Sequence, residues 1–139
     1  MDISLLLKEH RFQDDCIDRL EAIRWKGIPT CPYCLSFNST QIKNHKRHHC
    51  NTCNTDFSVT VGTIFHKTRV PLRTWFIAIL YLTYESKSVS VRGLAIRLKV
   101  NKNTAWRITT KINQASIADK ILLQNIYTFF KGPEKQEKH

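Results

Sequence analysis

Four of the five cysteines form two Cys-x-x-Cys pairs that lie fifteen residues apart, Cys31 with Cys34 and Cys50 with Cys53. A Cys-x-x-Cys turn lets two thiolates converge on one metal ion, and two such turns supply the four ligands of a tetrahedral zinc site. The intervening residues suffice for two short strands joined by a turn, and residues 40–44 and 47–50 are the candidates. The spacing therefore predicts a zinc ribbon that holds one structural Zn²⁺.

Other uses of these cysteines suit the sequence less well. A redox-active Cys-x-x-Cys usually occurs as a single pair beside a βαβ pattern, and paired disulfides need an oxidising compartment. His45, His48 and His49 lie close enough to replace a cysteine ligand, but with four cysteines in register we expect them to be surface side chains. Four protein ligands leave no open coordination position for water, so this zinc is predicted to stabilise the fold and not to catalyse.

We expect neither a secretory signal nor a membrane-spanning segment in this sequence. Charged residues interrupt the only apolar run near the N-terminus, residues 5–7, which excludes a signal-peptide core. The longest apolar stretch, residues 75–82, has eight residues, against the roughly 18 that are needed to cross a bilayer. We therefore expect a cytoplasmic protein with reduced thiols and no membrane partner.

The positive charge is concentrated in the middle of the chain. The sequence has 22 Lys and Arg against 11 Asp and Glu, and residues 31–113 hold 13 of the basic and 2 of the acidic side chains. The whole net charge of +11 therefore lies in that segment. Such a concentration favours an acidic partner, with nucleic acid ahead of an anionic membrane surface. A solvated basic face is the alternative.

Hydrophobic spacing predicts five helices around the ribbon. The first lies within residues 9–25 and begins near Asp14, and the others cover roughly 72–84, 91–98, 102–113 and 115–130. Pro71 is expected at the first position of the second helix, and the β-branched run 57–61 predicts a strand that ends at Gly62. The predicted apolar faces are Phe12, Cys16, Leu20 and Ile23 in the first helix, with Cys16 as a core residue, and Ile117, Ile121, Leu122, Ile126 and Phe129 in the last.

These elements predict an α+β protein with a small four-cysteine zinc ribbon of short antiparallel strands, flanked by helices and followed by a helical helix-turn-helix domain. The expected organisation is an N-terminal helical segment (1–28), the zinc ribbon (29–68), the helix-turn-helix (69–113), a C-terminal helix (114–131) and a disordered tail (132–139).

Residues 91–112 have the pattern of a helix-turn-helix, in which two short helices cross at a steep angle. Either Asn101 or Asn103 can cap the second helix. This motif usually has glycine where the chain has Lys99, which predicts a slightly remodelled turn. The inward-facing positions are Leu94, Ala95, Leu98, Val100, Ala105, Ile108 and Ile112. Two helices that merely pack in a bundle with a charged outer face are the alternative.

The second of these helices carries side chains that suit the major groove of DNA. Asn can bond to adenine and Arg to guanine through two hydrogen bonds each, while Lys and Thr can hold phosphates. Basic residues of the ribbon and of the segment after it are expected on the DNA backbone. The predicted DNA-binding residues are Lys43, Lys46, Arg47, Lys67, Arg69, Arg73, Asn101, Lys102, Asn103, Thr104, Arg107 and Lys111.

Several motifs follow one another in a fixed order. After Phe12, Cys16, Arg24 and Trp25 of the first helix and the two cysteine pairs come residues 57–65 (FSVTVGTIF), 66–75 (HKTRVPLRTW), 90–95 (SVRGLA) and 101–107 (NKNTAWR). Together they resemble the N-terminal region of bacterial insertion-sequence transposases that carry a zinc ribbon. The resemblance covers about residues 10–113. It implies that the ribbon and the helix-turn-helix together recognise transposon-end DNA.

In that family an RNase H-like nuclease domain follows, and its acidic residues hold two divalent metal ions for strand cleavage and transfer. After residue 113 the only acidic side chains of this sequence are Asp119, Glu134 and Glu137. Two-metal chemistry needs several carboxylates held around ions about 4 Å apart. We therefore expect no catalytic residues and no enzyme activity from this chain.

The sequence thus predicts sequence-specific binding of double-stranded DNA, in the nucleoid, by a truncated, split or domesticated transposase. Two alternatives stay open: a zinc-stapled module for protein interaction or transcriptional regulation, and the DNA-binding part of a transposase enzyme whose nuclease is absent from this chain. A second copy of the chain and a nuclease-bearing transposase are further candidate partners. We expect the helix at 115–130 to pack within its own chain, although its apolar face would also serve a dimer. No small-molecule substrate is expected.

Overall fold

The structure, a computed structural model, describes residues 12–43, 46–84 and 90–131. Its helices are α1 (Gln13–Trp25), α2 (Leu72–Tyr84), α3 (Val91–Leu98), α4 (Lys102–Asn113) and α5 (Ile117–Lys131). Its strands are β1 (Ser39–Ile42), β2 (Arg47–Cys50) and β3 (Asp56–Phe57). The predicted α+β class is confirmed, and all five predicted helices are present. Four parts of the predictions lie outside the described residues: positions 9–11 of the amphipathic segment 9–25, Asn44 of the predicted strand 40–44, His45, and the tail 132–139.

Helix α1 covers one side of the core through Cys16, Leu20 and Trp25, all of which are buried. Cys16 is confirmed as a core residue, because it has no solvent exposure and burial raises the pKa of its thiol to about 11. Phe12 was expected on the same face, but it is 65% exposed. The reason is that Phe12 precedes the helix in an extended conformation (φ −113°, ψ 156°), so its side chain leaves the helical register.

The three strands form one small antiparallel sheet in the order β1-β2-β3. Ser39 pairs with Cys50 and Ile42 with Arg47 across β1 and β2, and His48 pairs with Phe57 across β2 and β3. Strands were predicted at 40–44 and 47–50. The second is confirmed by β2, and the first is confirmed as far as Ile42, since Lys43 already lies in the turn. This sheet places the second cysteine pair at the end of β2.

The strand predicted over residues 57–61 is wrong beyond Phe57. The chain instead continues through consecutive turns in which four amides each donate to the carbonyl three residues earlier, those of Val61, Thr63, His66 and Thr68. Arg24 takes the place of a strand partner, since its Nη1 donates to the carbonyl oxygens of Val59 (2.6 Å) and Val61 (2.9 Å). Burial of Val59 therefore accounts for the β-branched composition without strand pairing.

Helix α2 is the central helix of the core and contacts α1, α3, α4 and α5. Pro71 stands immediately before this helix and not at its first position, which is Leu72. The carbonyl of Pro71 accepts the amide of Trp75 at 3.2 Å, which makes Pro71 the residue before the first helical turn. At the junction with α1, Gln13 Oε1 accepts the amide of Leu72 at 3.0 Å. The amide of the first helical residue is thus satisfied by a side chain of α1, as helix starts require. None of the helices among the described residues is long and apolar enough to cross a membrane.

Helix α5 packs within the chain, on α1 and α2, as expected. Its predicted apolar face is partly wrong: Leu122 and Ile126 are buried, whereas Ile117 and Ile121 are 80% and 58% exposed. The buried series runs at four-residue spacing from Leu122 through Ile126 to Phe130, whose ring lies 5.4 Å from that of Phe76 in α2. Phe129 lies at the margin of this face. Contact with two helices at once therefore selects a face rotated away from Ile117.

The buried side chains of the ribbon and of the helices belong to one hydrophobic cluster. It includes Cys31, Cys50 and Phe57 of the ribbon together with Leu94 of α3 and Ile108 of α4. The ribbon and the helix-turn-helix therefore pack on the same core.

Candidate metal centre and nucleic-acid interface

The two Cys-x-x-Cys turns have matching backbone geometry. In the first, the amide of Leu35 donates to the carbonyl of Cys31, and in the second the amide of Asn54 donates to the carbonyl of Cys50, both at 2.9 Å. Leu35 and Asn54 also share a left-handed conformation, with φ of 65° and 59°. Each turn thereby folds back on its first cysteine and directs two sulfur atoms to the same side.

The four sulfur atoms converge on one point and lie within 4.8 Å of one another. Cys31 Sγ is 3.7 Å from Cys53 Sγ, and Cys34 Sγ is 3.5 Å from Cys50 Sγ. A tetrahedron with Zn–S bonds of about 2.3 Å has sulfur–sulfur edges of about 3.8 Å. The amide of Tyr33 donates to Cys31 Sγ at 3.4 Å, a hydrogen bond that favours the thiolate form of this ligand. This donor set fits Zn²⁺.

The thiols of Cys34 and Cys50 differ in pKa. Hydrogen bonds from the amides of Cys53 and Thr52 outweigh burial and lower the pKa of Cys50 to about 6. The amide of Ser36 favours the thiolate of Cys34, but desolvation and the neighbouring cysteines outweigh it and raise the pKa of Cys34 to about 12. Four thiolates at these distances repel one another. A bound divalent cation removes that repulsion and deprotonates its sulfur ligands.

His48 and His49 are engaged in contacts other than metal binding. His48 was expected at the surface, but it is 4% exposed, its ring is stacked on that of Phe57 at 5.5 Å and the edge of Trp25 lies 5.2 Å away. Its Nε2 lies 3.0 Å from Glu21 Oε2, so His48 joins β2 to α1. His49 Nδ1 lies 2.6 Å from Asp56, whose hydrogen bond raises the pKa of this histidine. Among the described residues the four cysteines are the only cluster of three or more metal-binding side chains.

Helices α3 and α4 form the predicted helix-turn-helix. Ser90 caps α3 by accepting the amide of Gly93 (3.0 Å), and Asn101 caps α4 by accepting the amide of Thr104 (2.7 Å). Lys99 lies between them in the left-handed conformation (φ 59°, ψ 44°) that glycine adopts most easily. The predicted remodelling of the turn is therefore wrong, because Lys99 takes the strained conformation and the turn keeps its shape.

The two faces of α4 differ in character. Ala105 and Ile108 are buried and Ile112 is half-buried, as predicted, against α2 and α3. The exposed face carries four of the five side chains of α4 that were predicted to meet DNA, namely Lys102, Asn103, Arg107 and Lys111, while Thr104 is half-buried. Sequence reasoning missed Trp106, which is 60% exposed on this face. Its place next to Asn103 on the helical wheel was the available signal, but its apolar character hid it.

The structure brings some of the predicted DNA-binding residues together and places others apart. Lys67 and Arg69, from the segment between the ribbon and α2, line one cavity with Arg107 and Lys111 of α4. Lys43 and Arg47 are exposed at the hairpin between β1 and β2. Two others have neighbours inside the protein: Lys46 Nζ is 2.9 Å from Asp18, and Arg73 of α2 is half-buried near Cys16.

Residues 11–56 match the model of a family described as the transposase zinc-ribbon domain. The chain is also similar to a curated protein of Halobacterium salinarum, described as an uncharacterized protein in transposable element ISH50, with 29% identity over 110 residues that cover 77% of this chain. The chain spans 35% of the length of that relative. No solved structure matches this chain significantly.

These comparisons confirm the resemblance to transposase zinc ribbons. The family match contains all four clustered cysteines, and the similarity to the transposable-element protein continues well beyond them. The predicted cofactor is thereby confirmed: the cysteines form a site for one structural zinc ion, with Cys31, Cys34, Cys50 and Cys53 as its four sulfur ligands.

Proposed function

We propose that this chain binds double-stranded DNA sequence-specifically and that α4 is its recognition helix. The observation that carries the proposal is the exposed face of α4, where Asn103, Trp106 and Arg107 project from a helix whose opposite side is buried. These residues offer two hydrogen-bonding side chains that can read base edges and one apolar side chain that can contact a thymine methyl group. Transposase-type zinc ribbons and the concentrated positive charge support the same assignment.

The proposal gives each residue of the interface a role. Asn103 and Arg107 read bases, and Trp106 adds an apolar contact beside them. The phosphate contacts come from Lys102, Thr104 and Lys111 of α4, from Lys67 and Arg69 before α2, and from Lys43 and Arg47 of the ribbon. Asn101 orients α4 as its cap, while Lys46 and Arg73 contribute less because of the neighbours they already have.

The DNA that best fits this proposal is the end of a transposable element, recognised by a truncated, split or domesticated transposase. Support comes from the family of the ribbon and from a relative described as part of a transposable element. We assign DNA binding, and no cleavage step, to the described residues, because the metal centre has four protein ligands and therefore no position for a reacting water. A DNA-binding role also places the protein at the nucleoid, in the cytoplasm.

A second candidate function is protein docking through the first cysteine turn. Tyr33, Leu35 and Phe37 are 58%, 71% and 69% exposed within five residues of one another in sequence. Adjacent exposed apolar side chains are a common feature of interaction sites. A nuclease-bearing transposase and a second copy of this chain are the candidate partners. This function predicts that replacing all three residues with serine leaves DNA affinity unchanged and abolishes association with the partner.

The DNA proposal is tested by selecting bound sequences from random duplexes at about 0.15 M salt and then measuring Kd for the selected duplex and its single-base variants. Arg107→Ala and Asn103→Ala are each expected to cost about 1 to 3 kcal/mol and to relax one base position. Lys43→Ala is the control outside the recognition helix, and it should weaken binding to all duplexes about equally. Lys46→Ala should do the same to a smaller extent because of its ion pair with Asp18.

Two results would contradict the assignment. One is a selection that enriches no sequence. The other is an unchanged base preference in both Arg107→Ala and Asn103→Ala, which would mean that α4 does not lie in the groove.

A further inference from the structure

A cavity of about 230 Å³ lies between the segment that leaves the ribbon and the helix α4. Four cationic side chains line it, Lys67 and Arg69 from the segment and Arg107 and Lys111 from the helix. The chain thus brings two elements that are distant in sequence to one concentration of positive charge. We call this cavity the basic pocket.

Among the described residues, no carboxylate forms an ion pair with the cations of the basic pocket. In the part of the chain that the structure describes, none of its four cations forms an ion pair, whereas Lys46 elsewhere on the surface is paired with Asp18. Like charges that converge without a counter-charge destabilise a fold, and they raise the local concentration of anions. The pocket therefore has the electrostatics of an anion site.

The inner wall of the pocket is apolar and ordered by hydrogen bonds. Trp75 and Ile108 are buried there. Thr68 Oγ1 accepts the indole Nε1–H of Trp75 at 3.0 Å and the amide of Val70 at 3.1 Å. Because both of these contacts use the oxygen as acceptor, the hydroxyl proton of Thr68 remains to be donated to a ligand. The pocket thus offers a neutral donor beside its four cations.

We propose that the basic pocket binds a single phosphate group of the DNA backbone, held jointly by Lys67 and Arg69 from the segment and by Lys111 from α4. Arg107 lines the same pocket and also belongs to the reading face, so the bound phosphate sets the position of α4 relative to the bases. The volume is several times the roughly 30 Å³ that one water occupies in the liquid, which leaves room for a phosphate group and ordered waters. This inference rests on the proposed DNA-binding function and adds to it one defined contact.

A backbone phosphate suits the pocket better than a free anion. Two of its cations belong to the recognition helix, and phosphate contacts are what fix the register of such helices on duplex DNA. A free anion would need no link to that helix. The two sources share the same chemistry, so the experiment has one arm for each.

The first arm measures Kd for the selected duplex while each phosphate in turn is replaced by an uncharged methylphosphonate. The zinc-loaded full chain should lose about tenfold or more in affinity at one phosphate. In the Arg69→Gln and Lys111→Gln variants, replacing that same phosphate should cost almost no further affinity, since the cation that pairs with it is already absent. Lys43→Gln removes the same charge from the ribbon hairpin and should leave that loss unchanged. Each pocket variant should also reduce the salt slope of log K by about 0.9.

The second arm adds inorganic phosphate without DNA and follows the indole N–H resonance of Trp75 by NMR, since that group bonds to Thr68 in the pocket wall. Only weak binding, at millimolar concentrations, is expected. Tight binding of inorganic phosphate without coupling in the first arm would overturn the inference in favour of a free-anion site. The inference is also wrong if Arg69→Gln and Lys111→Gln couple to different phosphates or to none while selective DNA binding persists. Failure of the proposed function itself is distinguishable, because then no duplex is selected.

Discussion

At the scale of single residues, Lys99 bears the main backbone strain of the helix-turn-helix. Its φ of 59° lies in the left-handed region, where a side chain with a Cβ costs roughly 1 kcal/mol relative to glycine. Its amide nevertheless closes the end of α3 by donating to carbonyls of that helix. The turn is therefore fixed by its hydrogen bonds and by the packing of Val100, and not by a preference of Lys99.

This strain predicts that Lys99→Gly stabilises the protein by about 1 kcal/mol. The midpoint of chemical denaturation should rise with an unchanged slope. Lys120→Gly is the matched control, because Lys120 is an equally exposed lysine inside α5, where glycine should cost about 1 kcal/mol. Equal shifts in the same direction for both variants would contradict the described turn.

The five cysteines divide into four ligands and one core residue. Cys50→Ser is expected to lose the zinc ion and the cooperative unfolding transition, because structural zinc contributes about 10 to 16 kcal/mol in small domains. Cys16→Ala is the matched control and should keep one zinc ion per chain, with a modest loss of stability from the cavity it leaves. Metal analysis with thermal unfolding checks both. Zinc loss in Cys16→Ala, or retention of zinc and of the fold in Cys50→Ser, contradicts the assignment.

At the scale of elements, the helices were predictable because their periodicity and caps are local. The bounds of α3 and α4 were predicted from apolar spacing, and Asn101 was one of the two caps considered. The end of β3 and the face of α5 were not predictable. Val59 and Val61 are β-branched residues that favour strands. Their carbonyl oxygens instead accept hydrogen bonds from the guanidinium of Arg24, which is distant in sequence. Ile117 fits the apolar period of α5, yet contact with two other helices selects a different face.

The cap of α4 gives a prediction at this scale. Asn101→Ala should destabilise the protein by about 1 kcal/mol, since the amide of Thr104 then loses its partner. Asn101→Ser should retain most of the stability, because serine also caps helices well. The free energy of unfolding from urea titrations measures both. If alanine and serine were equivalent, the hydrogen bond between Asn101 and Thr104 would not contribute as described.

At the scale of the whole molecule, one core connects the metal centre to α4. Cys31 and Cys50 belong to the same buried cluster as Ile108 of α4. The contact between His48 and Glu21 also joins β2 of the ribbon to α1. The sequence indicated the zinc ligands completely, because their spacing is local. It did not indicate the basic pocket, because the approach of Lys67 and Arg69 to α4 depends on how the ribbon packs on that core.

The most direct test of the account compares Kd for the selected duplex with Kd for a scrambled duplex of the same composition, using the zinc-loaded chain at about 0.15 M salt. Specific DNA-binding proteins typically discriminate by about 10³-fold or more under such conditions. The account predicts a ratio of that order, reduced in Arg107→Ala by its loss of base recognition. A ratio near one would contradict it, because the positive charge would then bind DNA without reading its sequence.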